Sequence, residues 1–268
     1  TKLLAVDIVN MAHLGARAFE EIGGEVVQTT SFVVRKSHIV DYKGEYCRLI
    51  EPTSQQGKED MFLAGENRYA ADQSNFSKIP GSPVAYWVSD KVFSIFSENN
   101  ELRSICAVKV GLQSGDNNRF YKFWPEVCFS AINRGERNAL RNPKWFPCIR
   151  GGVFKKWYGN QDSIINWEND GAQIKTCKSA VIRNTQFYFY ENISWSEISS
   201  GGISFRYNYE GSIFDQKGPC CICKNHSDLI YLCGLLNSKP TQTILNILCP
   251  TLDYSVGPVS TLPIVMTQ

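Results

Sequence analysis

Residues 25–50, E-V-V-Q-T-T-S-F-V-V-R-K-S-H-I-V-D-Y-K-G-E-Y-C-R-L-I, decide the class of the fold. Glu25–Arg35 is dense in β-branched residues and reads as a strand. Ile39–Tyr42 and Glu45–Ile50 continue as strand around Gly44. The stretch before them, Ala16–Ile22, reads as a short helix closed by Gly23-Gly24. A helix and then two strands, with no crossover helix between, predicts that the two strands pair antiparallel. The class is α+β.

Working outward, residues 51–104 read as a helical connector. Gln56–Glu66 is a helix, Ile79-Pro80-Gly81-Ser82-Pro83 breaks the chain, and Val84–Val88 is a short strand. Ser89–Phe96 is a second helix, capped by Ser89 or Asp90. From Ile105 onward the pattern changes to short strands between turn residues, at 105–110, 126–131, 180–190, 203–207 and 211–214. Within them Phe187–Tyr190 is expected to bury alternate rings. Asp228–Leu236 and Pro240–Leu248 read as helices split by Asn237-Ser238-Lys239. The expected organisation is therefore 1–50, 51–104 and 105–268.

The chain has 268 residues, is 43% hydrophobic and carries a net charge of only +2, so it has no global basic signature. The distribution says more. Residues 106–210 hold 14 Lys and Arg against 9 Asp and Glu, whereas residues 1–105 hold 11 against 14. The middle third also has 19 of the 33 aromatics. A basic, aromatic-rich segment between acidic and neutral ones suggests a polyanion-binding face. No apolar run reaches the roughly 18 residues of a membrane helix, and no signal peptide opens the chain. The ten scattered cysteines suit reduced thiols in a cytoplasmic protein, which makes the N-x-S sites at Asn75, Asn192 and Asn225 chance matches. Thr1 falls inside what reads as structure, as in a piece of something longer.

Two stretches carry candidate chemistry. From Arg141 to Asn160 there are five cations and no acid, interleaved with Trp145, Phe146, Phe154, Trp157 and Tyr158. Cations neutralise phosphates and flat rings stack on bases. Arg150, Lys155, Lys156, Trp157, Tyr158 and Asn160 are the candidates, with Trp157 the one most inclined to turn into the core. Gly151-Gly152 is expected to let the backbone approach something bulky. The plain alternative is a strand with core aromatics and solvated lysines. In the run G-L-Q-S-G-D-N-N-R-F-Y-K-F-W (111–124), Ser114, Asn117 and Asn118 could bond phosphates while Arg119 and Lys122 supply charge. Its plain reading is a hairpin turning at Gly115-Asp116-Asn117, with Phe120 and Trp124 facing the core.

Other constellations read as structural. Cys220-Cys221-x-Cys223-x-x-His226 has ligand-like spacing, but everything falls within seven residues and no second pair follows. No metal is expected there. None of His13, His38 and His226 sits in a nucleophile motif, so no catalytic residue is expected.

Several runs carry a resemblance that spans nearly the whole chain in order. They are N-M-A-H-L-G-A-R-A-F (10–19), I-G-G-E-V-V-Q-T-T-S-F-V (22–33), I-P-G-S-P-V-A-Y-W-V (79–88) and G-L-Q-S-G-D-N-N-R-F (111–120). G-G-V-F-K-K-W-Y-G-N (151–160) and G-L-L-N-S-K with L-C-P-T-L-D-Y-S-V-G (234–257) complete them. The sequence resembles the PglX-like family, the large adenine-specific DNA methyltransferases of BREX phage-defence systems. The resemblance implies that residues 1–50 are the closing edge of a class I methyltransferase sheet. Residues from about 105 onward would then be a mixed α/β target-recognition domain that reads duplex DNA. Gln28–Thr30 would lie near the target base.

Such enzymes hold S-adenosylmethionine with a glycine-rich loop and grip the flipped adenine with N-P-P-[YFW]. Neither stands here as it should. Asn142-Pro143-Lys144-Trp145 has Lys at the third place and reads as a coincidental turn. The resemblance thus implies S-adenosylmethionine for a larger parent enzyme and none bound by these residues. The implied partners are double-stranded DNA and other defence-complex proteins, with no membrane. The alternatives are a stand-alone DNA- or RNA-binding protein, or a protein-interaction module whose basic face serves an acidic partner.

Overall fold

Asp7–Gly15 (β1) is one of the two interior strands of the first unit's sheet. The computed structural model describes residues 2–19, 21, 28–133 and 143–266. These fall into two units, Thr1–Glu98 and Asn99–Gln268. In the first, Thr29–Arg35 (β2), Lys43–Arg48 (β3) and Arg68–Asp72 (β4) join β1 in a sheet of order β2-β1-β3-β4. β1 runs antiparallel to β2, with His13 opposite Thr30, and parallel to β3, with Met11 opposite Tyr46.

The strands on either side of residue 40, expected to pair antiparallel, therefore do not pair with each other. β1 lies between them. Its Asn10, Ala12 and Gly15 give little β-branched signal, and pairing along both edges supplies what local propensity does not. The helix expected from Ala16 is also absent over residues 16–19. Gly15 and Arg17 are left-handed (φ 65° and 58°), which a right-handed helix cannot accommodate. Residues 20 and 22 lie outside the described residues, as do 25–27 of the expected strand. Ile39–Tyr42 is a turn through left-handed Asp41 rather than a strand, and the Tyr42 amide donates to the Ile39 carbonyl.

Gln55–Leu63 (α1) matches the expected helix, capped by the Ser54 hydroxyl accepting from the Gly57 amide. Asp90–Glu98 (α2) begins where expected, with the Ser89 carbonyl accepting from Val92 and Phe93. Val84–Val88 is not a strand. Turns after Pro83 and Ala85 aim Tyr86 inward, where it stacks on Tyr46 at 4.7 Å between centroids.

The second unit carries Asn100–Glu101 (β5), Leu102–Ile105 (α3), Ala107–Lys109 (β6), Asn117–Phe120 (α4) and Tyr121–Phe123 (β7). Trp145–Ile149 (β8), Ser163–Asn166 (β9), Glu168–Lys175 (α5), Asn192–Ser194 (β10) and Arg206–Asn208 (β11) follow. The unit closes with Ile213–Phe214 (β12), Cys220–Ile222 (β13), His226–Leu236 (α6), Lys239–Leu248 (α7), Val256–Ser260 (α8) and Pro263–Ile264 (β14). The sheets are β11-β10-β13-β6, β12-β8-β9-β7 and the pair β14-β5. Phe120, Ile165, Trp167, Ile213, Phe214 and Cys220 form a core that strands of both four-stranded sheets line.

Two expected strands dissolve into turns. Pro125 removes a ladder donor, and 126–131 becomes short 3-10 turns at Trp124–Glu126 and Phe129–Ala131. In 180–190 only Val181 bridges, to Gln113, before a 3-10 turn at Thr185–Phe187. Left-handed Asn184 and Phe189 interrupt the extended run, so Tyr188 is buried by a turn rather than by strand alternation. The final helix pair stands as expected, with Ser238 capping α7 and Pro240 in its first turn. The α+β class holds.

Candidate nucleic-acid interface

β8 carries the chain out of the core at Ile149 and into the cationic loop. Arg150, the first residue, is only partly free. Its Nε donates to Asp215 Oδ2 at 2.9 Å, and its guanidinium carbon lies 4.0 Å from the centre of the Tyr121 ring. Asp215 also accepts from the amides of Lys217 (2.8 Å) and Gly218 (3.1 Å) and from the Tyr121 hydroxyl. Burial raises the Asp215 pKa above its usual value, against the pull of Arg150 and the two amides.

Gly151 and Gly152 do admit a close approach, but to the chain itself. A Cβ at Gly151 would sit 2.8 Å from the Lys217 carbonyl oxygen, and one at Gly152 would meet the Asn160 side chain at 2.7 Å. The Gly152 amide donates to Ser196 Oγ, and that hydroxyl donates back to the Gly152 carbonyl, both at 3.0 Å. Next, Lys155 donates its amide to Ser204 Oγ. Trp157 then joins β11 edge-on: its amide donates to the Phe205 carbonyl and its carbonyl accepts from Tyr207, both at 2.9 Å.

This backbone weld turns the side chains outward. Phe154 is 47% exposed, Trp157 54% and Tyr158 60%, and Lys155 is exposed as well. Trp157 was expected to be the one turning inward. Its φ of 73°, imposed by the bridge to β11, points the indole the other way. The Lys156 ammonium donates to the Asn237 carbonyl at 2.9 Å, and left-handed Asn160 donates its side-chain amide to Val153. The loop is thus a held display of rings and of one lysine head, Lys155, that has no hydrogen-bond partner among the described residues.

The other candidate run is a capped turn rather than a hairpin. Ser114 is 2% exposed, and its hydroxyl donates to Asn117 Oδ1 at 2.8 Å. That hydroxyl orders the turn. Asp116 caps α4 by accepting from the Arg119 amide. Asn117, Asn118 and Arg119 are exposed, and Lys122 Nζ lies 3.4 Å from the Asn118 carbonyl. Phe120 is fully buried as expected, but Trp124 is 47% exposed, its amide donating to the carbonyl of Asp162 just before β9. Tyr121 links the run to Arg150, whereas Gly115 is held by the Ser179 hydroxyl.

Of the cysteine motif, Cys221 and Cys223 both lie beside Cys106. Cys220 and Cys221 are fully buried on β13, and His226 Nδ1 pairs with Glu191 at 2.8 Å. Among the described residues no three Cys, His, Asp or Glu side chains are arranged to hold a metal ion. Asn142 lies outside the described residues, while Trp145 pairs with Asn166 inside the sheet. His13 Nδ1 faces the Tyr86 hydroxyl at 3.1 Å, and burial lowers its pKa. Thr29 and Thr30 open β2 opposite Gly15 and His13.

Among the described residues, the end of the parallel β1–β3 pair does not fit a cofactor site for S-adenosylmethionine. Ligands of α/β sheets bind at the carboxyl ends of parallel strands. At the carboxyl ends of β1 and β3, the carbonyls of Leu14 (within β1) and Leu49 (just after β3) both accept from the buried Lys58 ammonium, at 2.7 Å each. A cation closes that position, where the ligand itself would bring a sulfonium.

No protein-family model matches the sequence. It is 42% identical to the adenine-specific methyltransferase PglX of Lacticaseibacillus casei (strain Zhang), over 96% of this chain and 23% of that protein. The chain is similar to a segment of PglX-type proteins. It is also 38% identical to the adenine-specific methyltransferase BrxX of Escherichia coli O9:H4 (strain HS), over 96% of this chain and 21% of that protein. The chain spans less than a quarter of the length of these PglX and BrxX relatives.

Arg206, Ser196, Ser204 and Asn237 complete the loop's support, and none was a candidate site residue in the sequence, where Asn237 marked only a helix break. Each is an ordinary polar residue in a strand or cap pattern, and only the fold brings them under residues 152–157.

Proposed function

We propose that this chain supplies duplex-DNA recognition to a PglX-like adenine-specific methyltransferase. It holds the duplex so that an adenine reaches the catalytic part for N6-methylation by S-adenosylmethionine, in phage defence. The observation that carries this reading is the loop from Arg150 to Asn160, acid-free and braced by Ser196, Ser204 and β11, which presents Phe154, Lys155, Trp157 and Tyr158 to solvent.

Each side chain has a definite task in this reading. Lys155 neutralises a phosphate, and Lys156 does so on leaving the Asn237 carbonyl. The exposed rings offer stacking faces or apolar contact to base edges. Arg150, fixed by Asp215 and Tyr121, sets the direction in which the loop leaves the sheet. Asn117, Asn118 and Arg119 add backbone contacts that position without specifying. When bound to the larger protein, S-adenosylmethionine supplies the methyl group. The residues here orient the duplex, and a DNA substrate places the work in the cytoplasm.

The test is Lys155→Ala together with Lys156→Ala in the full-length protein, read by duplex binding at several salt concentrations. Affinity is expected to fall about equally for all sequences, with the salt slope lower by about one unit per lost phosphate contact. Unchanged affinity and slope would remove this loop from the DNA face.

A further inference from the structure

Arg206 is 1% exposed, on the strand to which the loop is bonded. Its guanidinium finds only neutral and distant partners among the described residues. Nη1 donates to the Ser204 carbonyl at 3.4 Å and to Ser204 Oγ at 3.2 Å, and Nη2 donates to Ser196 Oγ at 3.3 Å. Charge-assisted hydrogen bonds are ordinarily shorter, near 2.8 Å. No ion pair to Arg206 occurs among the described residues. Burial draws its pKa down to about 10, so it is still a cation at neutral pH.

An unpaired buried charge opposes folding, and an apolar side chain of similar volume would pack there at less cost. Among the described residues no carboxylate faces this cation, and the groups that meet it belong to the support of the loop. Ser196 and Ser204, the two hydroxyls that face the guanidinium, are those that grip the amides of Gly152 and Lys155. The Arg206 backbone itself bridges to Trp157.

We propose that Arg206 is a positioning residue for DNA phosphates, a fixed positive charge beneath residues 152–157 whose counter-ion is the phosphate backbone lying on that loop. This rests on the DNA-binding reading above. Lys155 and Lys156 contact phosphates directly, whereas Arg206 acts through the loop without touching the duplex. A buried charge is screened by salt far less than an exposed one, so its pull persists at ionic strengths that weaken surface lysines. It carries no base preference.

The test compares Arg206→Met, Arg206→Lys and the Lys155/Lys156 double variant in the full-length protein, by duplex affinity and by melting temperature. R206M is expected to bind all duplexes on the order of tenfold more weakly at about 0.1 M salt, with a melting temperature unchanged or raised. R206K, which keeps the charge, is expected to retain most of the affinity. If R206M binds normally while the lysine double variant does not, Arg206 is a packing residue and the DNA reading stands. If none of the three loses affinity, the DNA reading fails and this proposal with it. Should R206M not fold, neutral R206Q and charged R206K are compared instead, and equal binding by the two overturns the proposal.

Discussion

Lys58 in the first unit and Arg206 in the second are both buried cations, 3% and 1% exposed, and neither forms an ion pair among the described residues. They are held in opposite ways. The Lys58 ammonium donates to two backbone carbonyls at 2.7 Å, Leu14 near the end of β1 and Leu49 just after the parallel β3, and so satisfies both. Arg206 reaches only neutral serine groups, at the longer distances of 3.2–3.4 Å, one of them the Ser204 carbonyl. The first cation is explained by its own unit's architecture. The second finds its counter-charge only in the DNA phosphate proposed for the loop above it.

The largest effect that could break this comparison is on stability. Lys58→Met strands the Leu14 and Leu49 carbonyls, each worth roughly 1–3 kcal/mol when buried without a partner. A loss of about 2–4 kcal/mol is expected in urea unfolding. A loss below about half a kcal/mol would make Lys58 as dispensable to its fold as Arg206 is held to be.

Trp157 sharpens the contrast from the loop side. With its indole 54% exposed, Trp157→Ala should leave the melting temperature nearly untouched. Duplex binding should weaken by about 1–3 kcal/mol if the ring stacks on a base. Marked destabilisation with normal DNA binding would mean that the ring braces the loop instead.

Arg206→Met is the direct counterpart of Lys58→Met. Its unfolding free energy should stay within about half a kcal/mol of the parent or rise. A loss comparable to that of Lys58→Met would show the guanidinium to be structural and erase the difference between the units.

The smallest effect is in the pH dependence, where a buried carboxylate in each unit points the opposite way. Asp7 accepts from Arg35, His38 and the Ile39 amide, and the Arg35 bond leads in lowering its pKa below 3.8. Its stabilisation is complete above that value and is lost as the pH falls through its folded pKa. Asp72, lowered first by the Ser74 amide, adds to the same sign. Asp215 has a raised pKa, chiefly from burial, so its folded state binds protons more tightly. The second unit should lose stability through this group as the pH rises from 3.8 to its folded pKa. Thermal melts from pH 3 to 6 should show Asp7→Asn flattening the acid loss of the first unit and Asp215→Asn flattening the opposite trend in the second. Equal slopes in the two variants would contradict the assignment.

Much of this was legible in the residues themselves. Ser54 before Gln55–Leu63, and Ser238 with Pro240 before Lys239–Leu248, mark helix starts because capping is settled within three or four residues. The acid-free run from Arg141 to Asn160 is equally local, and so is the α+β class. What lay beyond reach depends on partners far along the chain. β1 is interior because Thr29–Arg35 and Lys43–Arg48 pair with its two edges, which its own weak β-propensity does not announce. Trp157 faces outward because a bridge to Arg206, 49 residues on, sets its φ. Arg206 itself reads as one more polar residue on a short strand. Its burial, and the serines that join it to the loop, exist only once the backbone has closed over them, because solvent exclusion belongs to the packed unit and not to any segment of it.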